Sequence, residues 1–207
     1  SESLLACVHF VVRVDQHLKH KFTVDEVEKK LIDAGRSWED DFQIALSEVY
    51  GEVRGAIYFN RYSASFPASY REDYSPEEAV MDVEHIESLT ADSPLKMNLY
   101  QTKEDKYLRF KVFQHNSMIP LSDALPILEN MGLRVIGERP HQLKTKENLV
   151  VWINDFDMLF DVKNEINVEE IRQTFQEAFS AVWMKDAEND PFNYLVLSAG
   201  LNWHEVC

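Results

Sequence analysis

At Pro94 the hydrophobic period of this chain changes, and that change decides most of what the second half can become. Upstream the apolar residues keep helical spacing; downstream Leu95, Met97 and Leu99 alternate with polar neighbours. Beyond a charged turn at Lys103 to Lys106 the alternation resumes in Leu108, Phe110 and Val112, which makes a β-hairpin. A short helix follows, from about Pro120 to Met131, with Leu121, Leu125, Leu128 and Met131 on one side and Gly132 as its stop. Pro126 removes an amide beyond the first turn, so this helix is expected to start late or bend there. Leu133 to Leu143 and Asn148 to Phe160 read as two further strands around the polar turn Lys144 to Glu147. Asn167, with Glu169 and Glu170, then opens a long helix that buries Val168, Ile171, Phe175, Ala178, Phe179 and Val182. Strand pairs separated by helices, each strand with one apolar face, require an antiparallel sheet covered by helices. The expected class is α+β, a two-layer sandwich with extra helices from the first half.

Upstream of Pro94 the signals are mainly caps. Thr23 with Glu26, then Ser37 with Asp40, announce two helices, the second with a stripe of Trp38, Phe42, Ala45, Leu46 and Val49 and an exit at Gly51. Ser75-Pro76-Glu77-Glu78 is the strongest start signal in the chain and opens a helix that buries Ala79, Val80, Val83, Ile86 and Leu89. Between Gly51 and Tyr74 the chain is aromatic without a sustained period, which predicts an ordered connection packed on the domain, because so many rings are costly to leave in water. Leu4 to Val14 alternates as a strand, with Val8, Phe10, Val12 and Val14 on its apolar side. A strand that begins so soon after a serine terminus, and a last segment without a stop signal, are expected of a piece of a longer polypeptide. Three regions result: 1–94, the first strand with the helical and aromatic connection; 95–186, the α+β sheet domain; and 187–207, the start of a further helical region.

Charge narrows the function classes. Lys plus Arg number 21 against 36 for Asp plus Glu, a formal charge of −15. That field repels polyphosphate and anionic lipid, so neither nucleic acid nor a membrane is an expected partner. The two cysteines, Cys7 and Cys207, form no CxxC pair, which argues against zinc knuckles and dithiol redox chemistry and points to a reducing, cytoplasmic location. The glycines build no GxGxxG or GxxxxGK turn, and no GxSxG elbow is present.

Four constellations carry some chemical promise. Glu78, Asp82 and His85 share a helix face and could ligate a divalent ion in a stand-alone hydrolase if another element added ligands; otherwise they are a polar helix face. Arg71, between Tyr70 and Glu72, could fork a carboxylate, or be held by a nearby acid so that it fixes the aromatic connection. Asn116, Ser117 and Ser122, between a strand and the next helix, are the candidate effector contacts, since such corners collect free amides that favour carboxylates. His141, Lys144 and Lys146 make a small basic spot.

The words Phe66-Pro67-Ala68-Ser69-Tyr70-Arg71-Glu72-Asp73-Tyr74, the run from Pro120 to Val135 and the closing Gly200 to Val206 resemble the large bacterial NAD-specific glutamate dehydrogenases. The resemblance spans nearly the whole chain and falls before that family's catalytic domain. It implies a parent enzyme that deaminates L-glutamate oxidatively to 2-oxoglutarate and ammonia while reducing NAD. The family's catalytic lysine, aspartate and nucleotide fold lie elsewhere, so no catalytic, cofactor-binding or metal residue carries over. The same region is similar to ACT modules, βαββαβ units associated with amino-acid sensing and oligomer contacts, and Tyr107 to about Met184 looks like one of them. Effector-binding ACT domains resemble D-x-x-G-x-L at the first turn. This chain has Asn116-Ser117-Met118-Ile119-Pro120-Leu121, with no glycine to admit a ligand to the backbone. The expected role is a non-catalytic regulatory or architectural segment whose partners are the rest of the polypeptide and further copies in a homo-oligomer; the alternative is an amino-acid sensor.

Overall fold

The structure is a computed structural model that describes residues 23–101, 107–160 and 167–206. The strand expected over Leu4 to Val14 and the turn at Lys103 to Lys106 lie outside them. Helix α1 (Val24–Gly35) belongs to a compact unit of its own that ends at Ser37. Its cap is reciprocal, as the sequence implies: Glu26 N donates to Thr23 Oγ1 at 3.3 Å and Thr23 N donates to Glu26 Oε2 at 3.0 Å.

The second unit starts at Trp38. Helix α2 (Trp38–Tyr62) is two arms, 38–50 and 52–62, folded back on each other at Gly51, whose φ of 78° suits glycine. The arms cross at Gly55, where a Cβ would stand 2.9 Å from the Leu46 carbonyl oxygen. That crossing explains why the second arm escapes a hydrophobic pattern: its buried stripe is Gly55, Tyr58 and Tyr62, and its contact residue has no side chain. Val49, on the expected buried stripe, faces out at 63% exposure, because the return arm crosses one turn earlier.

Helix α3 (Ala68–Asp73) is too short to show a period, and α4 (Pro76–Glu87) starts on its capping box at Ser75 and Glu78. The segment between Gly51 and Tyr74 is thus largely helical. It is ordered by a chain of ring contacts: Trp38 on Phe42 at 5.0 Å, Phe42 on Phe66 at 5.4 Å, Phe66 on Tyr70 at 4.5 Å and Tyr70 on Tyr74 at 4.6 Å.

The sheet follows as β1 (Leu95–Tyr100), β2 (Leu108–His115), β3 (Leu133–Lys144) and β4 (Val150–Phe160), wholly antiparallel in the order β1-β2-β4-β3. Helix α5 (Leu121–Asn130) joins β2 to β3, and α6 (Val168–Trp183) follows β4. The run from β2 through α6 is the βαββα order. The position beside β2 that a strand after α6 would fill is taken by β1, which arrives first in sequence.

Alternation gives each face of the sheet one set of side chains. On the first face Leu99, Phe110, Val112, Phe156 and Met158 form a core with Ala124, Ile127 and Leu128 of α5 and Phe175, Ala178 and Phe179 of α6. Helix α5 is continuous across Pro126, which is exposed, and turns Leu121 outward so that Ala124, Ile127, Leu128 and Met131 make the buried stripe. On the second face Phe113, Leu143, Val151 and Ile153 pack under the rings of α2, α3 and α4. The extra helices therefore add a third layer to the α+β unit.

Both sheet edges are blunted. At β1 the Leu99 amide donates to Gln176 Oε1 at 2.8 Å, and the Leu99 carbonyl accepts from Arg172 Nε at 2.7 Å, so α6 closes part of that edge with side chains. Strand β3 carries a bulge between Val135 and Gly137 and the donorless Pro140. A 3₁₀ turn (Pro191–Asn193), α7 (Tyr194–Ser198) and α8 (Trp203–Val206) follow α6. No described helix is long and apolar enough to cross a membrane.

Candidate functional site

The predicted effector corner is only partly assembled. Asn116 is left-handed (φ 63°) and donates its amide to the Val150 carbonyl at 3.0 Å, and the Ser117 amide turns back onto His115. Both side chains are exposed. Ser122 lies apart from them in a cleft of about 630 Å³ between α5 and the end of α6, lined also by Pro126, Trp183, Lys185 and Asn189. Because Pro126 has no amide, the Ser122 carbonyl lacks its helical partner.

Glu78, Asp82 and His85 do not converge as metal ligands. A Glu78 carboxylate oxygen caps its own helix, the His85 ring stacks on Phe113 at 5.0 Å, and Asp82 is buried in an ion pair. Among the described residues no group of three or more His, Cys, Asp or Glu could hold a metal. Arg71 takes the structural role: it pairs with Glu39 and donates to the Phe66 and Ser63 carbonyls, each at 3.0 Å, which fixes the aromatic connection. His141 is not part of a surface basic spot. The pleat of β3 turns it inward, on the face shared with Arg139, and it is buried between Tyr70 and Tyr74, whose centroids lie 5.3 and 5.5 Å away.

The densest polar constellation is one that motif reading misses, a seam between the second sheet face and helices α3 and α4. The β2–β4 register sets Arg109 opposite Asp157 and Lys111 opposite Asp155. From above, Asp82 Oδ2 lies 2.8 Å from Lys111 Nζ and accepts the Tyr70 hydroxyl at 2.6 Å. The same ammonium sits 3.8 Å from the centre of the Tyr74 ring, a cation–π distance. Asp155 Oδ2 accepts the Tyr74 hydroxyl at 2.6 Å and the Tyr100 hydroxyl at 3.0 Å, with Arg109 Nη2 at 3.3 Å. Arg139 forks Asp157 at 2.5 and 2.7 Å. A signal was present in the sequence: two cations alternating with apolar residues in Leu108 to Val112, and two carboxylates alternating the same way in Asp155 to Met158.

Burial dominates the electrostatics here. It pushes the Asp82 carboxyl up, against the pull of Lys111 and the Tyr70 hydroxyl. Burial, with Asp155 beside them, drives the Tyr74 and Tyr100 phenols far above their ordinary range, and burial with Asp82 does the same to Tyr70. These phenols remain hydrogen-bond donors at neutral pH. Burial lowers His141 and His85, which favours the neutral imidazole. The seam therefore holds its protons and charges on fixed partners; chemically it is a lock between layers.

The two sides of this seam match different segments of one family. Profiles described as glutamate dehydrogenase, helical motif 2, and glutamate dehydrogenase, ACT3 domain, match residues 45–89 and 94–171, and one described as glutamate dehydrogenase, ACT2 domain, matches residues 1–39. The chain belongs to the glutamate dehydrogenase family. It is similar over its whole length to the NAD-specific glutamate dehydrogenases of Halomonas elongata, at 40% identity over 208 residues, and Pseudomonas aeruginosa, at 38%. The enzyme of that name from Mycobacterium tuberculosis is 31% identical over 223 residues. The chain spans only 13–14% of the length of these glutamate dehydrogenases, all of it within their non-catalytic N-terminal region. In the vocabulary of the family, the seam joins helical motif 2 to the ACT3 sheet, and α1 falls within ACT2.

Proposed function

We propose that this segment is an architectural element of an NAD-dependent glutamate dehydrogenase, held rigid so that other parts of the polypeptide and further copies in a cytoplasmic homo-oligomer can be positioned by it. The parent reaction converts L-glutamate, NAD and water into 2-oxoglutarate, ammonium, NADH and a proton. The residues here do not fit a dinucleotide: the β2–α5 corner has no glycine, and α5 begins after Pro120 with no side-chain cap. No step of the reaction runs through this segment's own groups. The observation that carries the reading is the seam, in which Lys111, Asp82, Arg109, Asp155, Arg139 and Asp157 all meet partners within the segment. The three regions 1–94, 95–186 and 187–207 are then successive structural pieces of the support.

The test pairs two proteins. The isolated chain should give no glutamate-dependent formation of NADH, whereas Asp82→Leu placed in the full-length enzyme should lower its assembly state in analytical ultracentrifugation. Turnover by the isolated chain, or an unaltered assembly, would refute the role. A second reading, an amino-acid effector taken up at Asn116 and Ser117 without Ser122, draws support from the left-handed turn at Asn116. Calorimetry against glutamate and aspartate separates the two readings. Saturable heat that disappears in Asn116→Ala favours sensing, and silence favours support.

A further inference from the structure

Helical motif 2 presents, on the side away from the sheet, a cleft of about 270 Å³ between the first arm of α2 and α4. Its floor is Ala45 and Val80, both buried; its walls are Val49 and Met81, which are 63% and 52% exposed. Three carboxylates, Glu48, Glu77 and Glu84, also line it. The same helical hairpin exposes Val53 and Ile57, one turn apart on its second arm. Apolar walls of this kind are unfavourable in water, and a methionine wall adapts its shape to what enters.

We propose that this cleft is a docking surface for a cationic amphipathic helix. Charge complementarity selects the occupant. An apolar anchor fills the space between Val49 and Met81, while flanking Lys or Arg side chains lay their stems on the walls and carry their charges to Glu48, Glu77 and Glu84. A second copy of this chain is the wrong partner, because it carries the same −15 charge. An anionic lipid surface is repelled for the same reason. This surface lies outside the seam, and the inference is independent of the reaction of the parent enzyme.

The test uses the whole 207-residue chain and a fluorescent peptide of about five helical turns, roughly 18 residues, with leucines on one face and lysines on the other. A scrambled peptide of identical composition serves as the reference. Fluorescence anisotropy at physiological ionic strength should show the amphipathic peptide binding at least about tenfold more tightly than the scrambled one. Val49→Ser and Met81→Ser should each weaken that binding roughly tenfold, while Ile136→Ser on strand β3 leaves it unchanged. Circular dichroism identifies a variant that has lost its fold; both positions are exposed enough to accept a hydroxyl. Equal binding of the two peptides, absence of binding, or binding unaffected by both folded variants would overturn the proposal.

Discussion

The two faces of the β-sheet are covered by helices in opposite ways. Beneath α5 and α6 the contact is apolar except at buried Asn154, whose amide donates to Glu138: Phe110 meets Phe175 and Phe179 edge-on, each at 5.0 Å, and Leu99, Phe156 and Met158 fill the space between. Beneath α3 and α4 rings and aliphatic side chains share the layer with Lys111, Asp82, Asp155 and His141, all nearly inaccessible to solvent. Apolar packing tolerates many arrangements of similar volume, whereas a buried charge accepts one partner at one place. The lesson is a division of labour: the first face supplies most of the driving force for folding, and the second fixes how the helical layer registers on the sheet.

That contrast is broken most severely by unpairing the seam. Asp82→Leu leaves Lys111 buried without its counter-charge and should cost about 3–5 kcal/mol in urea unfolding, while Asp82→Leu combined with Lys111→Met should recover most of the loss. On the first face Phe110→Ala should cost a similar 3–5 kcal/mol by opening a cavity, with no charge partner whose replacement rescues it. A double variant as unstable as Asp82→Leu alone would show that the two faces are not different in kind. Next in size, Gly55→Ala forces a methyl against the Leu46 carbonyl and should cost about 1–3 kcal/mol, read as a lowered melting temperature. Tyr74→Phe removes one donor from Asp155 but leaves Tyr100 and Arg109, so its cost should be about 1–2 kcal/mol.

The mildest test is pH. His85 and His141 sit below their ordinary value of 6.5 because they are buried, so the unfolded chain takes up these protons first as pH falls. Their contribution to stability is complete above about pH 6.5 and declines as pH drops through the folded values, by at most about 1.4 kcal/mol per pH unit for each imidazole. Urea midpoints between neutral and mildly acidic pH should fall less steeply in His141→Gln than in the parent chain. Parallel slopes would remove His141 from the account.

How much of this was legible depends on whether the information was local. The four strands of the sheet, α4 and α6 are written in short-range period and caps, and the structure forms them where Leu95 to Val112, Leu133 to Phe160, Ser75 to Glu78 and Asn167 to Glu170 place them. The second arm of α2 hid because its helix contact is made by Gly55, and α5 rotated its stripe because Pro126 had to face outward. The seam hid for a different reason. Its members come from α3, α4 and all four strands of the sheet, and a polar residue alternating in a strand reads as solvent-facing until something is known to lie on top of it. Of the effector corner, only the turn at Asn116 was legible; that Ser122 points to another cleft depends on how α6 returns.

Because β1 precedes β2, the sheet needs no residue beyond Phe160. A ribosome that has released α6 has already delivered all four strands of this sheet, and helices α2 to α6 with them. In a polypeptide several times longer, this module is equipped to mature during translation, before the far end of the message is decoded.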